Sequence, residues 1–214
     1  MIDFSDNFIN FAHRNEICAI MVLKTREKLI EVARQLFAHK GIENTTMNDI
    51  ANASDKGRRT IYTYFKNKKE IYNAVIEQES EQIVSQLREI IVLKISPEEK
   101  LRRFLEIRFK PIKNSISQLE PTKRFFGRDI KRIERIKKLA SEKEHEILKI
   151  ILEEGVKLGF FDEVQCRNFE SLQLLIFQGV DMSYIQNSYM NFETDNKKFS
   201  IEIIDFIING LKNK

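Results

Sequence analysis

Residues 45–72, TTMNDIANASDKGRRTIYTYFKNKKEIY, contain two short helical patterns separated by a polar break. The first pattern predicts a helix over residues 47–53, because Thr46 and Asp49 have the spacing with which two side chains cap free backbone amides at a helix start. The apolar pattern then stops for a few residues and resumes at Ile61. Two short helices joined by so tight a turn must cross steeply, which is the arrangement of a helix-turn-helix.

The second helix of the pair carries its polar and basic residues on one side. Ile61 and Phe65 are expected to face the scaffold, which leaves donors, methyl groups and rings for the major groove and the phosphates beside it. Asn67 ends the apolar pattern and is expected to cap a third helix from Lys68, whose N-terminal amides form a phosphate site. A merely solvated basic face is the alternative interpretation. The candidate DNA contacts are Thr25, Thr46, Lys56, Arg58, Arg59, Thr60, Tyr62, Thr63, Tyr64, Lys66 and Lys68.

The chain from Thr25 to Tyr72 resembles the DNA-binding domain of the tetracycline-repressor (TetR) family. The resemblance covers under a quarter of the chain and is carried by REKLIEVARQLFAHKG (26–41), TTMNDIA (45–51) and TIYTYFKNKKEIY (60–72). It implies a ligand-responsive transcriptional regulator, a repressor that binds a palindromic operator in double-stranded DNA as a homodimer and is released by a small-molecule effector. The implied fold is all-α, an N-terminal three-helix helix-turn-helix domain followed by a C-terminal helical ligand-binding and dimerisation domain.

The turn of the helix-turn-helix departs from the family pattern. This chain has Asp55, Lys56 and Gly57 where the family usually has Gly, an apolar residue and Ser or Thr, and it has Arg59 where a second Gly is common. Because Asp tolerates left-handed backbone and can cap a helix, Asp55 is expected to meet both needs. The departure leaves open which of Lys56, Arg58 and Arg59 faces the bases.

Composition and charge favour a helical protein with one basic end. The 214 residues include only 7 Gly and 3 Pro, with 42% hydrophobic and 32% charged residues, which favours helices with short connections around a real core. The net charge is only +4, but residues 24–72 hold eleven Lys and Arg against six Asp and Glu. Residues 73–214 are almost neutral, with 24 against 23. A basic excess in this segment is typical of a domain that meets phosphates.

The sequence predicts three segments, an N-terminal tail at 1–22, the helix-turn-helix domain at 23–72 and the C-terminal helical domain at 73–214. We expect Thr25 to begin the first helix and the tail before it to be poorly ordered. A short N-terminal helix is the alternative for these residues, and translation from Met21 is another.

The predicted cellular location is the cytoplasm, and no association with a membrane is expected. No stretch approaches the apolar run of about 20 residues that spans a membrane, and no basic flank precedes an apolar segment at the N-terminus. Cys18 and Cys166 lie far apart in sequence, which fits a reducing compartment. The three histidines lie outside any ligand cluster, and residues 144–146 are interpreted as a surface segment. We therefore expect no metal site, no cofactor and no catalytic residues, and we do not expect an enzyme.

The last two predicted helices, at about 168–187 and 196–211, are apolar around more than one face. Such helices need covering by their own domain and by something else, which predicts a homodimer built on them. In the resembled family the same two helices form a four-helix interface. Ile204 and Ile207 are the positions where an introduced charge is expected to break the dimer. Burial wholly within one domain is the alternative.

The resemblance implies an effector pocket among the C-terminal helices, and such pockets are mostly apolar with a few placed polar groups. The candidate effector contacts are Phe104, Arg108, Phe126, Phe177 and Tyr184, all equally readable as core. The basic run at 123–138 is interpreted as a solvated helix face, with a second nucleic-acid surface or an acidic partner as alternatives. A helical protein-interaction adaptor without specific DNA binding is the second functional hypothesis, and it rests on the departures in the turn.

Overall fold

The protein is helical throughout the part that the structure, a computed structural model, describes. Residues 4–109, 130–186 and 196–213 are described, with side chains over 20–109, 131–180 and 201–213. Within these ranges an isolated bridge joins Phe161 to Lys212, and no longer strand occurs, so the predicted all-α fold is confirmed. The helices are α1 Phe4–Lys40, α2 Met47–Ala53, α3 Arg58–Tyr64, α4 Lys68–Ile91, α5 Pro97–Arg108, α6 Ile130–Lys157, α7 Glu163–Gln186 and α8 Asn196–Leu211.

Helix α1 begins at Phe4, so the predicted helix start at Thr25 is wrong. Thr25 lies inside the helix, where its Oγ1 donates to the main-chain oxygen of Met21 at 2.9 Å, as a helical Thr often does. Residues 4–24 contain neither Gly nor Pro, so nothing upstream of Thr25 stops a helix. The segment that was expected to be a poorly ordered tail therefore belongs to α1 from Phe4 onward.

The chain separates into two compact units, residues 1–75 and 76–214, and the division falls inside α4. In the first unit, α1, α2, α3 and the start of α4 enclose a small apolar core. Within it the rings of Phe37 and Tyr72 lie 5.8 Å apart between centroids. The buried side chains of this core include Leu29, Ile30, Ala33, Phe37, Ile50, Ala51, Ile61, Phe65, Ile71 and Tyr72.

In the second unit α5 lies against α6 and α8, and α7 lies against both α6 and α8. A buried lysine joins three of the elements here. Lys100 on α5 reaches the Glu154 carboxylate on α6 at 2.8 Å and the main-chain oxygen of Ile91 at 3.1 Å, which is the end of α4. The core of this unit includes Leu101, Phe104, Phe109, Leu148, Ile151, Phe161, Phe177 and Ile208.

Candidate nucleic-acid interface and effector site

Helix α2 begins with a capping box. The Thr46 Oγ1 accepts a hydrogen bond from the Asp49 amide at 3.1 Å, and Asp49 Oδ2 accepts one from the Thr46 amide at 2.9 Å. The bond from the Thr46 backbone is the main reason that the pKa of Asp49 is lowered. The predicted cap is confirmed, and it gives the Thr46 hydroxyl a role in holding the helix start.

The turn after α2 places Asp55 in the left-handed region, with φ at 55°. The amide of Lys56 donates to the oxygen of Ala51 at 3.0 Å, and the amide of Asp55 donates to that of Asn52 at 3.2 Å. This pair of bonds satisfies the last carbonyls of α2 in the way that a Gly usually allows. The prediction that Asp55 adopts left-handed backbone is confirmed. Its carboxylate also lies 3.6 Å from Nζ of Lys28 on α1.

Helix α3 has its N-cap at Gly57 and no side chain caps it, so Arg58 is its first residue and the expected capping role of Asp55 is wrong. Ile61 and Phe65 are buried, as the sequence predicted. Lys56 precedes the helix and is half-buried. Thr60 and Tyr64 lie within the helix and are also half-buried. We call the exposed side of α3 the recognition face, and its residues are Arg58, Arg59, Tyr62 and Thr63.

The recognition face is basic and aromatic. The guanidinium carbon of Arg58 lies 5.9 Å from the ring centroid of Tyr62, one turn further along α3. The Tyr62 side chain is itself 43% exposed. The Oγ1 of Thr63 donates to the main-chain oxygen of Arg59 at 3.1 Å, which leaves its methyl group and its lone pairs for other contacts. The four side chains can therefore meet a polyanion together.

The start of α4 lies next to this face in sequence and has two kinds of lysine. Asn67 Oδ1 accepts from the Glu70 amide at 3.1 Å, which confirms the predicted cap, and Glu70 Oε2 accepts from the Lys66 amide at 2.7 Å. The Lys66 side chain is exposed. The Lys68 ammonium group instead donates to main-chain oxygens of the α1–α2 loop, including that of Thr45 at 2.6 Å.

In the second unit, three of the five candidate effector contacts come together. The rings of Phe104 and Phe177 lie 6.3 Å apart, and the guanidinium carbon of Arg108 lies 4.9 Å from the centroid of Phe177. Phe109 meets Phe177 edge-on at 5.4 Å. We call Phe104, Phe109 and Phe177 the aromatic cluster. Phe126 and the side chain of Tyr184 lie outside the described residues.

Glu144 is the functional candidate that the sequence interpretation missed. It was assigned to the surface, but it is 8% exposed and accepts from Nε of Arg108 at 2.9 Å, so that assignment is wrong. The signal was present, because Glu144 stands three and four residues before Ile147 and Leu148 on the buried face of α6.

A second buried polar group lies on α7. Gln173 is 4% exposed and stands one turn before Phe177, and its Oε1 has no hydrogen-bond partner among the described residues. A buried acceptor in this state costs free energy unless a water or a ligand supplies a donor.

The apolar exposed residues of α7 and α8 differ from those that the sequence singled out. Ile204 and Ile207 are 3% and 6% exposed, so they fill the core of their own unit and the expectation that they form the dimer contact is wrong. Leu175 on α7 is 66% exposed and Phe206 on α8 is 80% exposed. We call the described exposed apolar residues of these helices from Leu172 onward the α7–α8 face, and they are Leu172, Leu174, Leu175, Ile201 and Phe206.

The described residues include neither a cation site nor a membrane-spanning helix. Where side chains are described, no three His, Cys, Asp or Glu residues gather as a cation site. Across the described helices, none combines the length and apolar character that crossing a membrane requires. The described part of the basic run, 131–138, has all five of its Lys and Arg side chains exposed, which suits a solvated face as well as the two alternatives.

The fold and the recognition face define a helix-turn-helix protein with a separate helical C-terminal unit. Residues 29–75 match the family described as bacterial regulatory proteins, tetR family. The chain is 44% identical over 69 residues to the probable acrEF/envCD operon repressor of Escherichia coli K12, a stretch that is 32% of this chain and 29% of that relative. Residues 29–75 therefore carry a TetR-family DNA-binding domain, and the chain spans under a third of the length of that relative.

Solved structures extend the similarity of fold to the C-terminal unit. The regulator FadR from Bacillus subtilis in complex with stearoyl-CoA matches with a TM-score of 0.62 and 22% identity, over 86% of this chain and 98% of that one. A transcriptional regulator from Saccharomonospora viridis in complex with choline matches with a TM-score of 0.68 and 19% identity, over 89% and 99%. At these identities the likeness concerns the fold alone.

Proposed function

We propose that the protein is a ligand-responsive DNA-binding transcriptional regulator, a repressor that binds a palindromic operator as a homodimer. The observation that carries the proposal is the recognition face, in which Arg58, Arg59, Tyr62 and Thr63 stand exposed together on the second helix of a TetR-type domain. Arg side chains can bind guanine in two-point fashion, and a Tyr hydroxyl can bind a phosphate. Thr25, Thr46, Lys56, Thr60, Tyr64 and Lys66 remain proposed contacts around it.

The proposed dimer uses the α7–α8 face. Leu175 and Phe206 expose large apolar side chains that a single copy leaves in water. A two-fold interface would bury both copies of this face and would carry two recognition helices to two half-sites of one operator.

The proposed effector site is the aromatic cluster with Arg108, to which Phe126 and Tyr184 are added from the sequence. Gln173 supports a ligand there, because its buried Oε1 lacks a donor within the described residues. Stearoyl-CoA and choline, the ligands of the two similar structures, have little chemistry in common, so they do not select an effector class. Native mass spectrometry of the purified protein would test for a co-purified small molecule.

The function is tested by a gel shift with DNA from upstream of the protein's own gene. We expect a complex that survives excess unrelated DNA and is lost when one half-site is scrambled. Complexes of equal strength on all sequences, or no complex at all, would overturn the proposed regulator function and favour the hypothesis of a helical protein-interaction adaptor.

A further inference from the structure

The ammonium group of Lys68 is held by three main-chain oxygens of the α1–α2 loop. Nζ donates to the oxygen of Ile42, to that of Glu43 at 3.1 Å and to that of Thr45 at 2.6 Å. An ammonium group has three donors, so this set of carbonyls can occupy all of them. The expectation from sequence was different, because the start of α4 was assigned to DNA phosphates and Lys68 was counted among their contacts.

The surroundings of the Lys68 ammonium group favour a structural role for its charge. Thr45 is fully buried, and its Oγ1 donates to the main-chain oxygen of Gly41 at 2.8 Å, which holds the loop in shape. Burial is the main reason that the pKa of Lys68 is lowered, while the charges of Glu43 and Asp49 oppose the shift. The side chain is thus turned into its own domain, away from the exposed position that Lys66 occupies two residues earlier.

These bonds close the helix-turn-helix at both ends. Thr45 directly precedes Thr46, the N-cap of α2, and Lys68 directly follows Asn67, whose side chain caps α4. The segment 46–67, which includes α2, the turn and α3, lies between the two tied points. A change in the distance between the loop and the start of α4 would therefore tilt the recognition face.

We propose that Lys68 is a positioning residue, whose ammonium group clasps the α1–α2 loop to the start of α4 and thereby fixes the recognition face for DNA. The inference rests on the proposed function, since it concerns how the same interface is held. In this role Lys68 neutralises no phosphate, and the contact with the DNA backbone near the start of α4 is left to Lys66.

The salt dependence of DNA binding separates the two roles. Each lysine that neutralises a phosphate releases counterions, so its loss flattens the slope of log affinity against log salt by about 1 per protomer. Lys68→Ala in the full chain should lower affinity by about tenfold, as loss of charge-assisted hydrogen bonds would give, and leave the slope unchanged. Lys66→Ala is the matched control, and it should flatten the slope. A flattened slope for Lys68→Ala would overturn the proposed positioning role of Lys68.

Chemical rescue gives a readout that simple destabilisation would not. In Lys68→Ala, methylammonium chloride can place an ammonium group among the three carbonyls, whereas tetramethylammonium chloride at equal ionic strength has no N–H to donate. We expect methylammonium, relative to tetramethylammonium, to restore DNA affinity and to raise the melting temperature of the variant, with no difference between the two salts for the wild type. Equal effects of the two salts would refute the proposal.

Two further outcomes are distinguishable. If Lys68→Ala is unfolded, Lys68→Met keeps most of the stem without the donors, and loss of affinity at constant slope is expected of that variant too. If the wild type itself binds no DNA with preference, the proposed function fails. The positioning role of Lys68 is then tested by the melting temperature of Lys68→Ala alone, and it is overturned if methylammonium does not raise that temperature.

Discussion

Arg108 at the end of α5 donates from Nε to Oε2 of Glu144 on α6 at 2.9 Å, and the two side chains are only 16% and 11% exposed. The guanidinium group of Arg108 stands against the ring of Phe177. Because the two charges offset one another, this pair adds no net charge to the proposed effector site. An anionic effector would have to compete with Glu144 for the guanidinium group, so the geometry favours an uncharged portion of the effector at this place.

Removing one member of this pair should cost more than removing both. Arg108→Met strands a buried carboxylate, and we expect a loss on the order of 3 kcal/mol in the free energy of unfolding. The double variant Arg108→Met, Glu144→Leu should recover most of that loss, because no buried charge remains. Urea unfolding of the two single variants and the double variant measures this coupling. Additive losses would show that the two side chains act independently.

Gly155 on α6 permits the close approach of a ring. A Cβ at this position would lie 2.1 Å from Cδ2 of Phe161, which is 1% exposed and therefore has little room to move. Gly155→Ala should destabilise the second unit by about 1–3 kcal/mol, as overpacking of a core does. Gly210→Ala is the matched control, since nothing lies within 4 Å of a Cβ there. Thermal unfolding should show a lower midpoint for the first variant only.

The acid side of the stability profile should depend on Asp49. Its folded pKa is lowered by the bonds with Thr46. A carboxylate of this kind adds stability above its unfolded pKa, and that contribution disappears as the pH falls through the folded value. The free energy of unfolding of the wild type should therefore exceed that of Asp49→Asn at neutral pH. This difference should shrink as the pH falls below 3.8, the ordinary pKa of Asp. Urea unfolding at several pH values measures it.

The control for Asp49 is a cap without a charge. Ser96 Oγ accepts from the Glu99 amide at 3.2 Å at the start of α5. Ser96→Ala should cost about 1 kcal/mol, with little change over the same pH range. An Asp49→Asn gap that persists at the lowest pH would contradict the assigned role of the charge.

The helix-turn-helix domain was largely predictable because its signals are local. The Thr46 cap, the left-handed Asp55 and the Asn67 cap each depend on residues within a few positions, and the structure confirms all three. The partners of Lys68 were not predictable. They are main-chain oxygens 23 to 26 residues away, and any residue carries such an oxygen.

The C-terminal unit was harder to predict for two physical reasons. A helix that is apolar on two sides does not reveal which side its own domain covers, so Ile204 and Ile207 were assigned to the interface while Phe206 remains exposed. A charged residue on an apolar face is easily assigned to the surface when its partner lies on another helix. Glu144 and Arg108 are 36 residues apart in sequence.

The α7–α8 face should control the oligomeric state. Leu175→Glu and Phe206→Glu each place a charge on the proposed interface, where burial without a partner is costly, so we expect monomers. Val92→Glu is the control, because Val92 is 79% exposed just after α4, close to the 80% of Phe206. Sedimentation velocity distinguishes the forms. Dimers for both α7–α8 variants would place the interface elsewhere.

Substitutions on the recognition face should distinguish side chains that contact bases from side chains that contact phosphates. Arg58 and Arg59 begin α3, and the first residues of a recognition helix are those that reach base edges. If either arginine binds guanine, its replacement by Ala should cost about 1–3 kcal/mol and relax preference at one position in each half-site. A panel of operators with single base-pair changes measures this for both variants. Arg34→Ala is the control, because Arg34 is paired with Glu31 on α1 at 2.7 Å and should leave both affinity and preference unchanged. Uniform weakening on every operator would assign Arg58 or Arg59 to a phosphate, and the reading of bases would then fall to Lys56 or to the ring and hydroxyl groups of Tyr62 and Thr63.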